Sequence, residues 1–443
     1  MGQRLARMFR GGSARQSVRR QGRSRETTSS ADGGIRLGTM RFAAPTSPPP
    51  TDPNRPPTHA PRLERELRGD ASGAWFHCTA SLDIGHLHGR VALDRVLDVD
   101  GAGAVVLSGD PDLSGFDPTR ALFFDLETTG LMGGGGNLAF IVGVAQVRSD
   151  GQVDLAQFLL REPGDEAALL ESVLPLVREA ETLVSFNGKS FDRHVLADRF
   201  VMNRMDPSPI LDKPHLDLIH PSRRLYRTTL RSCSLGAIEE SCLGVFREHD
   251  LPGSEAPAAW FAWLRTGDLS AVRRVQDHNA LDLLSLVALT AHLDRCVMAP
   301  GAALPDPSAL AQAGRLLVER GEEERGEAVL SLLARGDASD PVVYGAIHVL
   351  AGHLKRAGRV EEALMLWARM RDAAGAQDLS PWVNSAIALE HRLARPADAL
   401  CLVDGVLSML AAGRGFATND EIAALEHRRD RLLRRTSLRA RPA

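Results

Sequence analysis

The chain has 443 residues, enough for two or three domains, and 44% of them are hydrophobic, so sizeable cores can form. It contains no run of about 18 consecutive apolar residues, so no membrane span is predicted. The formal net charge is −3, yet residues 1–60 hold eleven arginines and three acids. The remainder is therefore acidic, which excludes binding of nucleic acid by bulk positive charge and leaves only local basic patches for that purpose.

The five cysteines lie far apart, and no two of them form a CxxC pair. This spacing argues against a zinc ribbon or a disulfide framework and favours a reducing cytoplasm. Lysine is almost absent, with three residues against fifty arginines, and this bias indicates a GC-rich bacterial genome. The sequence therefore predicts a cytoplasmic bacterial protein.

Residues 1–60 are rich in arginine, serine and proline. They lack the amphipathic stripe of a transit peptide, which remains the alternative, and they favour a disordered basic tail. Residues 61–120 form a lead-in segment in which short apolar runs, such as Ala104–Leu107, alternate with glycine and aspartate. No definite structure is predicted for this lead-in segment.

Residues 121–296 alternate between strand and helix patterns. The predicted strands are Leu122–Glu127, Leu138–Val147, Val153–Leu160, Thr182–Phe186 and His215–Ile219, and the predicted helices are Glu166–Ala180 and Phe191–Met205. The Asp150-Gly151 step between the second and third strands is a hairpin signal. Three strands in hairpin order, followed by helix–strand–helix–strand, predict an α/β fold with a mixed sheet flanked by helices.

After about residue 305 the pattern is helical only. Three segments resemble one another: Glu319–Leu333, Lys355–Met370 and Leu393–Leu407. Ala328, Ala363 and Ala399 fall at equivalent places in them, close to the tetratricopeptide (TPR) period of about 34 residues. We predict TPR-like helical repeats over residues 305–436, with generic helical hairpins as the alternative. Such a repeat region favours a protein partner.

The strongest local signal is a strand that carries two acids, Phe123-Phe124-Asp125-Leu126-Glu127-Thr128-Thr129-Gly130. Asp125 and Glu127 are two residues apart, so both carboxylates point to the same face of the strand. Two buried carboxylates resist ionising together, and a divalent cation that bridges them removes this cost. Mg²⁺ and Mn²⁺ prefer such oxygen ligands. The pattern predicts a metal site; a strand edge whose acids reach solvent is the alternative.

The second signal is the segment Ser185-Phe186-Asn187-Gly188-Lys189-Ser190-Phe191-Asp192. A strand ends, the chain turns, and Asp192 opens a helix, where the free N–H groups and the helix dipole favour a carboxylate. The third signal is His278-Asn279-Ala280-Leu281-Asp282. His278 and Asp282 are four residues apart on a predicted helix and so share a face. Alone, each of these would be read as an ordinary surface feature; their order along the chain favours a site.

These three motifs resemble the exonuclease motifs of the DEDD superfamily. More narrowly, the chain resembles the YprB family of RNase H-like proteins. The residues that carry this resemblance are Asp125–Leu131, the glycines at 133–136, Phe186–Asp192, His215–Leu218, Ser232–Leu235 and His278–Leu286. The resemblance covers roughly residues 90–296, which is under half of the chain.

The resemblance implies an RNase H-like fold and a metal-dependent nuclease, most simply a 3′–5′ exonuclease acting on DNA or RNA. Two divalent ions, Mg²⁺ or Mn²⁺, would activate a water and stabilise the leaving 3′ oxygen. The implied metal ligands are Asp125, Glu127, Asp192 and Asp282. His278 would be the general base that takes a proton from the attacking water.

The spacing of His278 departs from the superfamily pattern. His-type DEDD enzymes usually place their histidine five residues before the last acid, and Tyr-type enzymes place a tyrosine four residues before it. Here a histidine stands at the tyrosine's spacing before Asp282. Metal binding by Asp282 is unaffected by this departure, whereas the general-base role of His278 stays open.

Candidate substrate-binding residues lie near these motifs. Thr128, Asn187 and Lys189 adjoin the acids, although Lys189 also fits a plain surface lysine. Arg223, Arg224 and Arg227 lie at helix-compatible spacings around Tyr226. They predict either a phosphate-binding face with a stacking aromatic residue or a solvated helix surface.

Two functional hypotheses of different classes remain. The first is a nuclease with a helical-repeat module for a protein partner; endonucleolytic action is a variant of it. The second is a catalytically idle RNase H-like domain that binds nucleic acid and is tethered to a TPR-like scaffold. A missing acid would favour the second hypothesis, and none of the four acids is missing.

Overall fold

A computed structural model of the chain describes residues 57–70, 73–130, 136–248 and 250–439, all within a compact unit that spans Ala43–Ala443. The predicted tail therefore lies almost entirely outside the described residues, as do the glycines at 133–135. Within the described residues, no helix combines the length and the apolar character needed to cross a bilayer.

The strands are β1 (Glu64–Asp70), β2 (Gly73–Leu82), β3 (Leu87–His88), β4 (Val91–Ala92), β5 (Ala121–Thr128), β6 (Ala139–Val147), β7 (Val153–Leu160), β8 (Thr182–Ser185) and β9 (His215–Asp217). Seven of them form one sheet in the order β1-β2-β7-β6-β5-β8-β9, and β3 pairs with β4. Strands β5, β8 and β9 are parallel, whereas the other pairs in the sheet are antiparallel. The predicted mixed sheet is confirmed.

The helices before the C-terminal region are α1 (Gly101–Ser108), α2 (Glu166–Glu179), α3 (Asp192–Met202), α4 (Ser208–Leu211), α5 (Ile219–Tyr226), α6 (Leu235–Ile238), α7 (Ala256–Thr266), α8 (Ser270–Met298) and α9 (Pro300–Ala303). A π-helical turn, Glu239–Leu243, follows α6. Short 3₁₀ turns cover Leu93–Asp98, Pro111–Gly115, Pro118–Arg120, Pro163–Asp165 and Gly253–Glu255.

Each face of the sheet has its own hydrophobic core because side chains alternate along a strand. Leu122 and Phe124 of β5 join the core formed with α2, α3 and α7. Phe123 joins the opposite core, where α8 and α1 pack. Asp125 and Glu127 share the face of Phe123, so the alternation directs both acids towards α8.

The lead-in segment is an integral part of the sheet. It supplies β1 and β2, and β2 pairs antiparallel with β7 along Trp75–Leu82. The apolar run Ala104–Leu107 lies inside α1, which begins at an N-cap formed by Asp100 and ends at Gly109 with a φ of 74°. Because α1 is rich in glycine and alanine, it lacks the periodic apolar pattern from which a helix is predicted.

The C-terminal region consists of tandem helical hairpins. The helices are α10 (Pro307–Glu319), α11 (Glu323–Leu333), α12 (Pro341–Arg356), α13 (Val360–Ala374), α14 (Ser380–His391), α15 (Pro396–Ala411) and α16 (Asn419–Arg439). Leu310, Leu316 and Leu317 of α10 belong to the same core as α8. The first hairpin is therefore packed directly onto the sheet-containing part of the chain.

The predicted equivalence of Ala328 with Ala363 and Ala399 is wrong by two residues. Ala363 and Ala399 are fully buried, and each is the fourth residue of its helix, whereas Ala328 is exposed. The fourth residue of α11 is Gly326, and a Cβ there would lie 2.6 Å from the Val318 side chain. The small residue that permits close helix packing in the first hairpin is thus Gly326. The TPR-like assignment itself stays a prediction.

The basic run at the end of the chain is largely neutralised within the protein. The buried carboxylate of Glu390 pairs with Arg428, Arg431 and Arg435 of α16. Arg429 pairs with Asp404 of α15. These ion pairs attach α16 to the last hairpin, so this arginine run does not form an open patch for an anionic partner.

Candidate functional site

Two of the predicted acids project from β5 towards α8. Glu127 is 7% exposed, and Asp125 is half-buried. Asp125 faces Gly143 across the β5–β6 pair, and the register shifts after Glu127. The strand's alternation thus places both carboxylates in the interior on one face of the sheet.

Asp192 reaches the same region from the carboxyl end of β8. It is the first residue of α3 and is buried. The loop before it turns at Asn187, which has a φ of 71°, a conformation that asparagine tolerates better than most residues. Asp217 at the end of β9 fixes this loop, since its carboxylate accepts the backbone N–H groups of Asn187 (2.7 Å) and Lys189 (3.0 Å). Asp217 therefore determines where Asp192 enters the site.

Asn279 of α8 binds Asp125 directly. Its Nδ2 donates to Asp125 Oδ2 at 2.8 Å, and its Oδ1 accepts from Gln157 Nε2 at 2.9 Å. The amide reaches Asp125 over Gly143, where a Cβ would lie 2.1 Å from Asn279 Oδ1. The absence of a side chain at residue 143 thus allows α8 to contact the acid-bearing strand.

We expect Gly143→Ala to lower the free energy of unfolding by about 1–3 kcal/mol, because the new methyl group must displace the Asn279 amide. Chemical denaturation of both proteins measures this difference. Gly345→Ala is the matched control, since a Cβ at Gly345 on α12 meets nothing within 4 Å. Equal stabilities for wild type and Gly143→Ala would contradict the close contact at Asn279.

Asp282 lies one helical turn beyond His278 on α8 and is paired with Arg247. Arg247 Nη2 donates to Asp282 Oδ1 at 2.5 Å and also to Glu239 Oε1. His278 Nε2 lies 3.6 Å from the other oxygen of Asp282. Arg247 follows the π-helical turn and precedes α7, in a segment for which the sequence indicated no function.

The electrostatics show that the four acids lie close enough to repel one another. Burial and the charges of Asp282, Asp192 and Glu127 raise the pKa of Asp125 well above its ordinary value. Burial raises the pKa of Glu127 to about 8, against a lowering by His278 and with further raising by Asp282 and Asp192. Burial raises the pKa of Asp192 to about 7, against its own backbone hydrogen bond and with help from Asp217 and Asp282. Three distant segments thus deliver carboxylates to one region.

The carboxylates are not yet arranged as ligands of one ion. Among the residues that the structure describes, no three Asp, Glu, His or Cys side chains are placed so that they could hold a metal together. Asp282 is turned to Arg247, and Asp125 is turned to Asn279. The donor set itself suits a divalent cation, because added positive charge would offset the burial and the mutual repulsion that raise these pKa values.

The sequence that contains these acids is similar to known proteins. A family model described as the RNase_H superfamily matches residues 122–294. The protein YprB of Bacillus subtilis (strain 168) is 31% identical over 293 residues, covering 65% of this chain and 69% of that protein. This chain belongs to the YprB family.

Solved structures similar to this YprB-family chain resemble it only distantly. The family B DNA polymerase of Pyrobaculum calidifontis has 17% identity and a TM-score of 0.34; the match covers 48% of this chain and 30% of the polymerase. Exonuclease I in its apo form has 16% identity and a TM-score of 0.24; the match covers 72% of this chain and 99% of that one.

The surroundings of the predicted general base of this YprB-family chain favour its protonated form. Burial alone would lower the pKa of His278, but the hydrogen bond to Asp250 and the charge of Asp282 outweigh it and raise the pKa to about 9. Nδ1 lies 2.8 Å from Asp250 Oδ1 and 3.2 Å from Arg247 Nη1. Because the Asp250 carboxylate can only accept, this contact places a proton on Nδ1, and Nδ1 therefore cannot accept a hydrogen bond from Arg247.

The predicted substrate-binding residues beside the acids already have partners or face solvent. Thr128 Oγ1 donates to the Gly130 carbonyl at 2.7 Å. Lys189 Nζ lies 3.7 Å from Asp110 Oδ2, and Asn187 is exposed. These residues adjoin the acids along the chain, and their contact with substrate stays a prediction for this member of the YprB family.

The arginines of α5 lie in a different environment from the acids. Arg224 forms an ion pair with Glu319 of α10. Arg223 and Arg227 are exposed and lie near Cys233: burial raises the pKa of the Cys233 thiol, and the charges of these two arginines lower it. Tyr226, expected among them as a stacking residue, is buried, and its hydroxyl contacts His292 Nε2 at 2.7 Å. A tyrosine packed in this way has no free ring face for a base, so the stacking part of the prediction is wrong.

Sequence reasoning missed several residues of the YprB-family site. Asp217 lies between Leu216 and Leu218, and a lone acid in an apolar strand was a signal that could have marked it. Asn279 follows three polar residues, so no such signal distinguished it. Arg247, Asp250 and Glu239 lie outside every motif. Their relevance follows only from the fold, which brings them to α8.

Proposed function

We propose that this member of the YprB family is a metal-dependent nuclease of the DEDD type that hydrolyses nucleic-acid phosphodiester bonds, as a 3′–5′ exonuclease. The observation that carries the proposal is the mutual electrostatic influence of four acids delivered by β5, α3 and α8. These acids stand in the segment matched by the RNase_H superfamily model. A cluster of carboxylates with raised pKa values is typical of a functional site.

The proposed cofactor is a pair of Mg²⁺ or Mn²⁺ ions. The residues that would hold them are Asp125, Glu127, Asp192 and Asp282. When bound, such ions supply a nucleophilic water and charge stabilisation for the leaving oxygen. Oxygen-only ligands of this kind suit these hard cations, and no cysteine takes part in the set.

The chain's own residues hold the acids and move protons. Asn279 orients Asp125, and Asp217 holds the loop that places Asp192. Asp250 binds Nδ1 of His278, which leaves Nε2 directed to the acid side of the helix. Against the lowering by burial, the hydrogen bond to Asp250 raises the pKa of His278 most, and Asp282 and Glu127 raise it further. Neutralisation of Asp282 and Glu127 by cations would remove these last two contributions and favour a neutral ring whose Nε2 accepts a proton.

We also keep the remaining predictions as proposals. The substrate is DNA or RNA, contacted through Thr128, Asn187 and Lys189. The exposed Arg223 and Arg227 would contribute only a peripheral positive charge. A protein partner on the helical hairpins and a cytoplasmic location complete the proposal.

The proposal is tested with purified full-length protein and oligonucleotides labelled at the 5′ or the 3′ end. Single- and double-stranded DNA and RNA are incubated with Mg²⁺, Mn²⁺ or EDTA, and the products are resolved by length. We expect 5′-labelled strands to shorten stepwise and 3′-labelled strands to release a mononucleotide first, only when a divalent cation is present.

Other product patterns discriminate between the hypotheses. Products of internal cleavage would show that the same site acts as an endonuclease and not as an exonuclease. Binding of substrate without any cleavage in Mg²⁺ or Mn²⁺ would support the idle binding domain instead. Cleavage that persists in EDTA would contradict the metal-dependent mechanism.

A further inference from the structure

Arg247 is a positively charged side chain that lies beside the four acids and contacts Asp282. Its side chain is 9% exposed. The same Nη2 group donates to Asp282 Oδ1 and to Glu239 Oε1. A charge-assisted contact of this kind is stronger than a neutral hydrogen bond. Arg247 thus supplies positive charge where the proposed function would place a metal ion.

Both oxygens of Asp282 are directed to basic side chains. Oδ1 lies 2.5 Å from Arg247, and Oδ2 lies 3.6 Å from His278 Nε2. A carboxylate binds an ion by directing an oxygen lone pair to it. Since the Arg247 contact is the shorter of the two, it is the stronger competitor for Asp282.

Glu239 gives Arg247 a position that does not depend on Asp282. Glu239 is 1% exposed, and its Oε1 also accepts a hydrogen bond from Ser285 of α8. The Ser285 hydroxyl in turn contacts His88 Nε2 at 2.7 Å. If Arg247 released Asp282, its charge would still be paired with a fixed carboxylate, which avoids the large cost of an unpaired buried charge.

We propose that Arg247 is a positioning residue that holds Asp282 in the metal-free protein and gives it up to an incoming divalent cation while staying paired with Glu239. This inference rests on the proposed function, because it requires the acids to bind such ions. Arg247 would then weaken cation binding and, in the metal-free state, stabilise the fold by offsetting repulsion among the acids.

The test is Mn²⁺ affinity measured by calorimetry on wild type and Arg247→Gln at one pH. We expect Arg247→Gln to bind Mn²⁺ about tenfold more tightly, the factor that corresponds to one charged hydrogen bond. Its melting temperature in EDTA should fall, and the rise caused by Mn²⁺ should be larger than in wild type. Arg120→Gln is the charge-matched control, since Arg120 is exposed, precedes β5 and pairs with Glu181; its Mn²⁺ affinity should equal that of wild type.

An unchanged or weaker Mn²⁺ affinity in folded Arg247→Gln would overturn the inference, and so would equal tightening in Arg120→Gln. If Arg247→Gln does not fold, Arg247→Lys replaces it. Lysine keeps the charge near Glu239 but lacks the planar fork, so a smaller gain in affinity is expected and no gain overturns the inference. If the wild-type protein binds no Mn²⁺ at all, the proposed metal-dependent function itself is contradicted. Failure of the inference about Arg247 and failure of the proposed function therefore give different results.

Discussion

Asp125→Asn is expected to abolish metal-dependent nuclease activity while leaving the metal-free protein at least as stable as wild type. The substitution removes a proposed metal ligand, so the cleavage rate should fall by about three orders of magnitude or more. Stability should not fall, because the buried carboxyl is already disfavoured in its charged form by burial and by three neighbouring acids. The new amide oxygen can still accept the hydrogen bond from Asn279. Initial rates on labelled strands and urea denaturation in EDTA measure the two effects.

Asp154→Asn is the matched control for this pair of effects. Asp154 is on β7 of the same sheet and binds the Ser81 hydroxyl, away from the four acids. Its nuclease rate should stay within about twofold of wild type, since surface substitutions of this kind have small effects. Full activity in Asp125→Asn, or equal loss in both variants, would contradict the assignment of Asp125.

The metal-free protein is expected to lose stability as the pH rises from 6 to 9. In the folded chain the pKa of Glu127 is about 8 and that of Asp192 is about 7, whereas their ordinary values are 4.5 and 3.8. The folded state therefore holds protons that the unfolded state has already released, and the resulting stabilisation disappears as the pH passes through 7 and 8. His278, with a pKa of about 9, acts in the same direction. Each pH unit over which the folded state holds one extra proton lowers the free energy of unfolding by about 1.4 kcal/mol, so we expect a loss of several kcal/mol over this range.

Denaturation in EDTA and in saturating Mg²⁺ at pH 6, 7.5 and 9 measures this dependence. Mg²⁺ binds the ionised carboxylates, so it should remove most of the loss at high pH. In Glu127→Gln the carboxyl with a pKa of about 8 is replaced by an amide that does not titrate, so the slope in EDTA should become shallower. A wild-type profile that is flat in EDTA, or that Mg²⁺ does not change, would contradict a shared carboxylate site.

Five of the seven strands of the sheet, and the acids, were predictable because their signals are local. The alternation along β5 places Asp125 and Glu127 on one face whatever the rest of the chain does. The strand-to-helix turn before Asp192 is likewise indicated by residues that are adjacent in sequence. These short-range rules also gave the mixed sheet, whose predicted strands differ from the observed ones by only a few residues.

The contacts that orient the acids and shift the pKa values in the site could not be predicted, because they join segments that are distant in sequence. Asn279 and Asp125 are 154 residues apart, and Arg247 and Asp282 are 35 residues apart. The raised pKa of His278 likewise depends on Asp250, which lies outside any regular element. Hydrophobic and turn patterns indicate where elements lie, but they carry no information about which polar groups meet across the fold.

Local rules also failed where close packing replaced a recognisable pattern. The helix α1 consists mainly of glycine, alanine and valine, so it lacks the amphipathic period that marks a surface helix. In the helical hairpins, the expected small residue at Ala328 is two positions from Gly326, because the helix α11 begins earlier than the repeat period suggested. Both features depend on how neighbouring helices approach one another.

We propose that acids from three distant segments form one site for divalent cations. Anomalous diffraction from crystals of the full-length protein grown with Mn²⁺ tests it most directly. We expect Mn²⁺ peaks in bonding contact with carboxylate oxygens of Asp125, Glu127, Asp192 and Asp282, together with separation of Asp282 from Arg247. Mn²⁺ peaks elsewhere on the protein, or no peak among these four carboxylates, would contradict it.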